Sequence, residues 1–174
     1  MTKLLLLAAV ISCSLGCSLA ASEPRASADL KDKDGNIVGQ AFFRERPSGV
    51  LLRMDVKGLA PGLHAVHVHS VGRCEGPSFD SAGGHFNPTG KKHGLNSPGG
   101  AHAGDLPNML VARDGSGRFE VRTDAFTLSS GAASIFDNDG SAVVIHAGVD
   151  DYTTDPTGNA GGRAACGVIV PTTD

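Results

Sequence analysis

Residues 50–57, VLLRMDVK, place Val50, Leu52, Met54 and Val56 on one parity and Arg53, Asp55 and Lys57 on the other. Side chains alternate across a β-strand, so this period of two describes a strand with one apolar face and one wet face. The same reading gives strands at 28–33, 37–46, 63–69, 109–113, 118–126, 141–146 and 165–170. Asp34-Gly35 supplies a hairpin turn between the first two, and Asp114-Gly115 another after 109–113,. No apolar period of 3.6 residues survives more than a turn or two, and there is no internal repeat. Short strands separated by regular turns specify an all-β sandwich or barrel.

The 174 residues suit one domain, and 24 glycines with nine prolines and no tryptophan fit a chain rich in turns,. A net charge of −3 and the lack of a basic stripe in the sequence argue against a nucleic-acid partner,. The first residues, MTKLLLLAAVISCSLGCSLAAS, read as an export signal over 1–17. Lys3 forms a positive start, and the apolar run Leu4 to Ile11 is too short to span a bilayer,. Cys13 and Cys17 both follow small residues, so the segment resembles a bacterial lipoprotein signal. Lipidation at Cys17, and hence membrane attachment, stands beside ordinary cleavage near Ala20 or Ala21. Residues 18–26 read as a tether and 27–171 as the folded domain. Export leaves Cys74 and Cys166 in an oxidising compartment where a disulfide between them can persist.

Residues 70–107 break the strand rhythm, being rich in Gly, Pro, Ser, Asn and His over a length rare for a structureless loop,. This stretch carries His85, His93, His102 and Asp105, three imidazoles and a carboxylate that make a plausible tetrahedral zinc set,. A bound ion also accounts for order in so long a loop, since metal binding offsets its conformational entropy. In HAVHVH, residues 64–69, strand alternation puts His67 and His69 on one face and His64 on the other,. With His146 at the end of another strand and one imidazole borrowed from the loop, they form an all-nitrogen set that suits copper.

The segments GLHAVHVH, GGHFNPTGKKHG, HAGDL, VVIH and GNAGGRAACGVI, in this order, resemble the copper/zinc superoxide dismutases. The resemblance covers the chain from about Ala28 to Val170. It implies a Greek-key β-sandwich or barrel of about eight antiparallel strands with two long functional loops, and conversion of superoxide to oxygen and hydrogen peroxide. It implies copper on His67, His69, His85 and His146, and zinc on His85, His93, His102 and Asp105, with His85 shared. The gaps of seven residues between His85 and His93 and eight between His93 and His102 fit the family. Arg163 matches the arginine lining the copper channel, Asp150 a carboxylate connecting the two ligand sets, and Cys74–Cys166 the intrachain disulfide. His64 is expected to be a buried histidine satisfied by hydrogen bonds. The second irregular loop, 147–162, is short and has no Lys or Arg before Arg163, which leaves Lys91 and Lys92 beside His93 as candidate anion guides. A metal storage or delivery protein of the same fold, without turnover, is the alternative. The export signal and the short loop point to the periplasm or cell envelope of a bacterium.

Overall fold

The computed structural model describes residues 23–172. The export segment, Cys13, Cys17 and residues 18–22 lie outside them. Ten strands follow in chain order: β1 Arg25–Asp32, β2 Ile37–Arg46, β3 Gly49–Val56, β4 Gly62–His64, β5 Val66–His69, β6 Met109–Val111, β7 Gly117–Thr123, β8 Ala142–His146, β9 Arg163–Val168 and β10 Val170–Thr172. They form one antiparallel sheet in the order β4-β6-β7-β3-β2-β1-β9-β8-β5, with β10 paired to β1. β4 and β5, the two ends of that order, are separated in sequence by Ala65 alone, so the sheet rolls into a nearly closed barrel.

Two of the eight strands expected from sequence are each broken in two. The stretch 63–69 bends at Ala65, whose N–H donates to the Gly148 carbonyl (2.8 Å) and whose carbonyl accepts the His146 N–H (2.9 Å). The bend moves the strand from β6 on one side to β8 on the other. The last strand breaks at Ile169, whose N–H donates to the Ser141 carbonyl. At the other end β1 starts at Arg25, inside the segment read as a tether, because Ala26 pairs with Phe43 and is buried in the core. β7 stops at Thr123, short of the expected Phe126. Beyond it the partner strand β3 has ended, and Phe126 turns inward with Leu128 and Ile135 to plug that end of the barrel.

Val50, Leu52, Met54 and Val56 all point into the core with Leu30, Ala41 and Phe43. A second, smaller cluster lies outside the barrel wall, where Phe79, Ala82, Cys74 and Cys166 pack on Ala142 and Val144 of β8. The first long loop therefore covers the outer face of β8. The Cys74–Cys166 disulfide fastens it there, with 5.7 Å between the two Cα atoms.

Candidate metal centre

β5 points Val66 and Val68 into the barrel core, and His67 and His69 to the opposite face. The long loop runs back along the edge of β5. The Val68 N–H donates to the Gly104 carbonyl (2.9 Å), the Phe86 N–H to the Val68 carbonyl (2.8 Å) and the Ser70 N–H to the Gly84 carbonyl (2.9 Å). These bonds seat Asp105 opposite His67 and His85 opposite His69. So close an approach requires glycine at 104, where a Cβ would lie 2.2 Å from the Val68 carbonyl oxygen,. The exposed edge that β5 would otherwise present is thereby covered. From β8, antiparallel to β5, His146 enters the same space.

Two donor sets result, and His85 belongs to both. Donor atoms of His67, His69, His85 and His146 all lie within 4.8 Å of one another. His67 Nδ1 and His85 Nε2 are buried and have no hydrogen-bond partner, while His69 Nε2 and His146 Nε2 are 3.4 Å apart. Buried imidazole nitrogens without partners are unfavourable unless a ligand takes their lone pairs. Four nitrogens with no oxygen or sulfur suit copper. In the second set Asp105 Oδ1 lies 2.9 Å from His85 Nδ1, 3.1 Å from His93 Nδ1 and 3.3 Å from His102 Nδ1. Its other oxygen accepts the Gly94 and His102 backbone N–H groups at 2.8 and 3.0 Å. Proximity also places His67 with His85, His93 and Asp105. However, His67 Nε2 is held by Asp150 at 2.8 Å, so His102 is the better fourth donor for zinc,.

Asp150 joins the two sets. Its Oδ2 faces His67 Nε2, and its Oδ1 faces His93 Nε2 at 3.0 Å. Neighbouring Asp151 is exposed and instead accepts bonds from Thr153, Thr154 and Asn159, which order the second loop. Burial pushes the ring of His69 down to about 2, aided by the nearby His85. Burial likewise lowers His85 to about 4 against the opposing Asp105 hydrogen bond, and His146 to about 3 with a contribution from His67. These rings are neutral at ordinary pH, the state in which imidazole ligates a metal. Burial alone would raise the Asp105 carboxyl, yet the hydrogen bonds from His85 and the Gly94 N–H outweigh it and keep the group ionised,.

Arg163 stands beside His146 in the β8–β9 ladder. Its guanidinium donates to the Phe79 carbonyl and, at 2.6 Å, to the Gly83 carbonyl, which also faces His69 Nδ1 at 2.9 Å. One arginine thus ties the first loop to the histidine cluster. His64 is buried on the opposite side, with its two ring nitrogens 2.7 Å from the His146 and Ala60 carbonyl oxygens. Lys91 and Lys92 are exposed.

Sequence reading missed three residues that position this centre. The Asn108 side chain makes two bonds to the Asp150 backbone, each 2.9 Å. The Tyr152 hydroxyl accepts the Asn108 N–H at 2.7 Å, and Asp155 Oδ1 accepts the His93 N–H at 2.8 Å. They belong to no periodic pattern and act across 42 to 62 residues of sequence, so no local signal announces them.

Residues 37–169 match the family model described as copper/zinc superoxide dismutase (SODC). The chain is 49% identical over 147 residues to superoxide dismutase [Cu-Zn] 2 of Aquifex aeolicus, covering 83% of this chain and 86% of that one. It is 44% identical to the superoxide dismutase [Cu-Zn] of Caulobacter vibrioides, covering 83% and 84%. Among solved structures, a SOD-like protein from Bacillus subtilis matches with a TM-score of 0.80 at 39% identity, over 83% of this chain and 97% of that one. The matched span contains every donor of both sets together with Arg163 and both cysteines, and the chain belongs to the copper/zinc superoxide dismutase family.

Proposed function

We propose that this protein disproportionates superoxide as an exported enzyme of the cell envelope. His67, His69, His85 and His146 would hold copper, which supplies one-electron exchange with superoxide, and His85, His93, His102 and Asp105 would hold zinc, a fixed charge of constant redox state. The reading is carried by the unpartnered His67 Nδ1 and His85 Nε2, two buried nitrogens directed at one point among four imidazoles.

The reaction turns two superoxides and two protons into one oxygen and one hydrogen peroxide, so the protein must admit an anion and deliver protons. Arg163, half-buried beside His146, provides the positive charge that attracts and orients the anion,. His85 Nε2 is the ring atom placed to carry a proton to the product, while Asp105 holds the opposite nitrogen and fixes the ring,. Asp150 fixes the rings of His67 and His93 in the same way.

Superoxide consumption measured on metal-replete and chelated protein tests the proposal. Rapid consumption that chelation abolishes and copper restores is the expected result. Protein that binds both metals and consumes no superoxide is a storage or delivery protein instead. Export rests on the composition of residues 1–17, and the Cys74–Cys166 disulfide fits an oxidising compartment,. Mass spectrometry of the mature N-terminus decides between lipid on Cys17 or Cys13 and a free start near Ala21.

A further inference from the structure

The outer face of β1, β2, β3 and β7 carries a row of residues aligned by the sheet register. Arg25 pairs with Arg44, Arg44 with Leu51 and Leu51 with Arg122. In the next row Phe42 pairs with Arg53 and Arg53 with Glu120. Arg46 lies at the end of β2, and these residues line one shallow depression. Five arginines, a third of the chain's 15 Lys and Arg, meet there in a protein of net charge −3. Among the described residues, Glu120 pairs with Arg53, and Glu23 with Arg44 and Arg46. Phe42 projects from the same surface, 49% exposed.

The chain enters this face from outside the described structure. Glu23, the first described residue, is paired to the arginines of β2, and 22 residues precede it. From Cys17 to Glu23 the backbone reaches at most about 20 Å. Whatever holds the N-terminal segment therefore holds this face beside it. In the strand order β2 and β3 are central, while β5 and β8 lie at one end. In a barrel whose ends meet, the arginine face and the histidine cluster consequently lie on opposite sides of the barrel.

We propose that this face docks on an anionic phospholipid surface, with the arginines against lipid phosphates and Phe42 at the headgroup boundary, leaving the metal centre turned to the aqueous side. Basic side chains gain from the negative potential of an anionic leaflet, and an aromatic ring favours the interface. The location comes from the proposed export. The arginine face is a separate observation, and its test does not need the lipid.

Metal-loaded protein recovered after export, carrying Cys13→Ser and Cys17→Ser so that no lipid attaches, is mixed with phosphatidylglycerol-containing or pure phosphatidylcholine vesicles and sedimented. Binding to the anionic vesicles alone is expected, weakening as salt is added. Arg44→Ser and Arg122→Ser should each lower partitioning about fivefold and leave superoxide consumption unchanged. Arg118→Ser, an exposed control outside the depression, should change neither. Equal binding to both vesicle types, or binding unaffected by the Arg44 and Arg122 changes, overturns the proposal. Retention on a soluble polyanion without vesicle binding overturns it as well. A lipid-free native N-terminus would remove the anchor and leave the arginine dependence intact, so the two readings fail separately.

Discussion

The β2–β3–β7 side and the β5–β8–β9 side of the barrel are built from the same antiparallel ladder and end up in different solvents. β3 alternates, its core positions dry and Arg53 and Asp55 in water. β8 is buried at all five positions, because the barrel core covers one face and the disulfide-fastened loop the other. A strand's hydrophobic pattern thus reports how many of its faces are covered. The covered outer face is also the place where imidazoles lose water and are left as neutral donors. On the wet side the same kind of position carries arginine paired to glutamate or aspartate.

Replacing His85 by Ala should break the covered side most severely, since one ring serves both donor sets. Superoxide consumption should fall by at least about a hundredfold, with loss of copper and zinc together by elemental analysis. Loss of copper alone would show that His85 is not shared.

Acid should be next in effect, and metal-free protein isolates it. The folded protein holds His85 at about 4, below its ordinary 6.5, so the unfolded chain binds the proton first. Stability is therefore complete above about pH 6.5 and is lost as pH falls toward 4. His85 alone accounts for roughly 3 kcal/mol of this, and His69 and His146 act in the same direction,. A denaturant midpoint that stays flat from neutral pH to pH 4 would contradict the dry environment of these rings.

Reducing Cys74–Cys166 should lower unfolding free energy by about 2–5 kcal/mol in denaturant titrations, the range for removing a disulfide that closes a long loop,. Amide exchange should quicken around Phe79 and Gly83, which Arg163 holds, and stay unchanged along β2 and β3. Uniform acceleration would mean that the loop and the barrel open as one unit.

Asp150→Asn keeps the shape and removes a carboxylate that faces two ligand rings. Metal affinity should fall about 10- to 100-fold at nearly constant fold, read from competition with a chelator. Asp151→Asn should leave affinity unchanged, which separates the two neighbouring acids.

The smallest effect belongs to the wet side. Arg53 and Glu120 are 2.6 Å apart with side chains 61% and 54% exposed. A double-mutant cycle should give about 0.2–1 kcal/mol, vanishing in high salt. A coupling of several kcal/mol would erase the contrast between the two sides.

The strand alternation of residues 50–57 and the choice of His67, His69, His85, His93, His102, Asp105 and His146 as candidate metal donors were legible without coordinates. Both are local or compositional: alternation follows from backbone geometry, and few residue types donate to copper or zinc. The family resemblance singled out Asp150, with an exposed acid in a polar loop beside Asp151 as the competing reading, and nothing local marks the bend at Ala65, the early start at Arg25 or the positioning roles of Asn108, Tyr152 and Asp155. Those depend on which distant segments meet. Asp150 bridges two donor sets because the Asn108 side chain, on a residue whose N–H is held by the Tyr152 hydroxyl, binds its backbone, and five scattered arginines become one surface only when four strands take their register. Local chemistry named the donors, whereas long-range hydrogen bonding and burial decided which of them share a space and which face water.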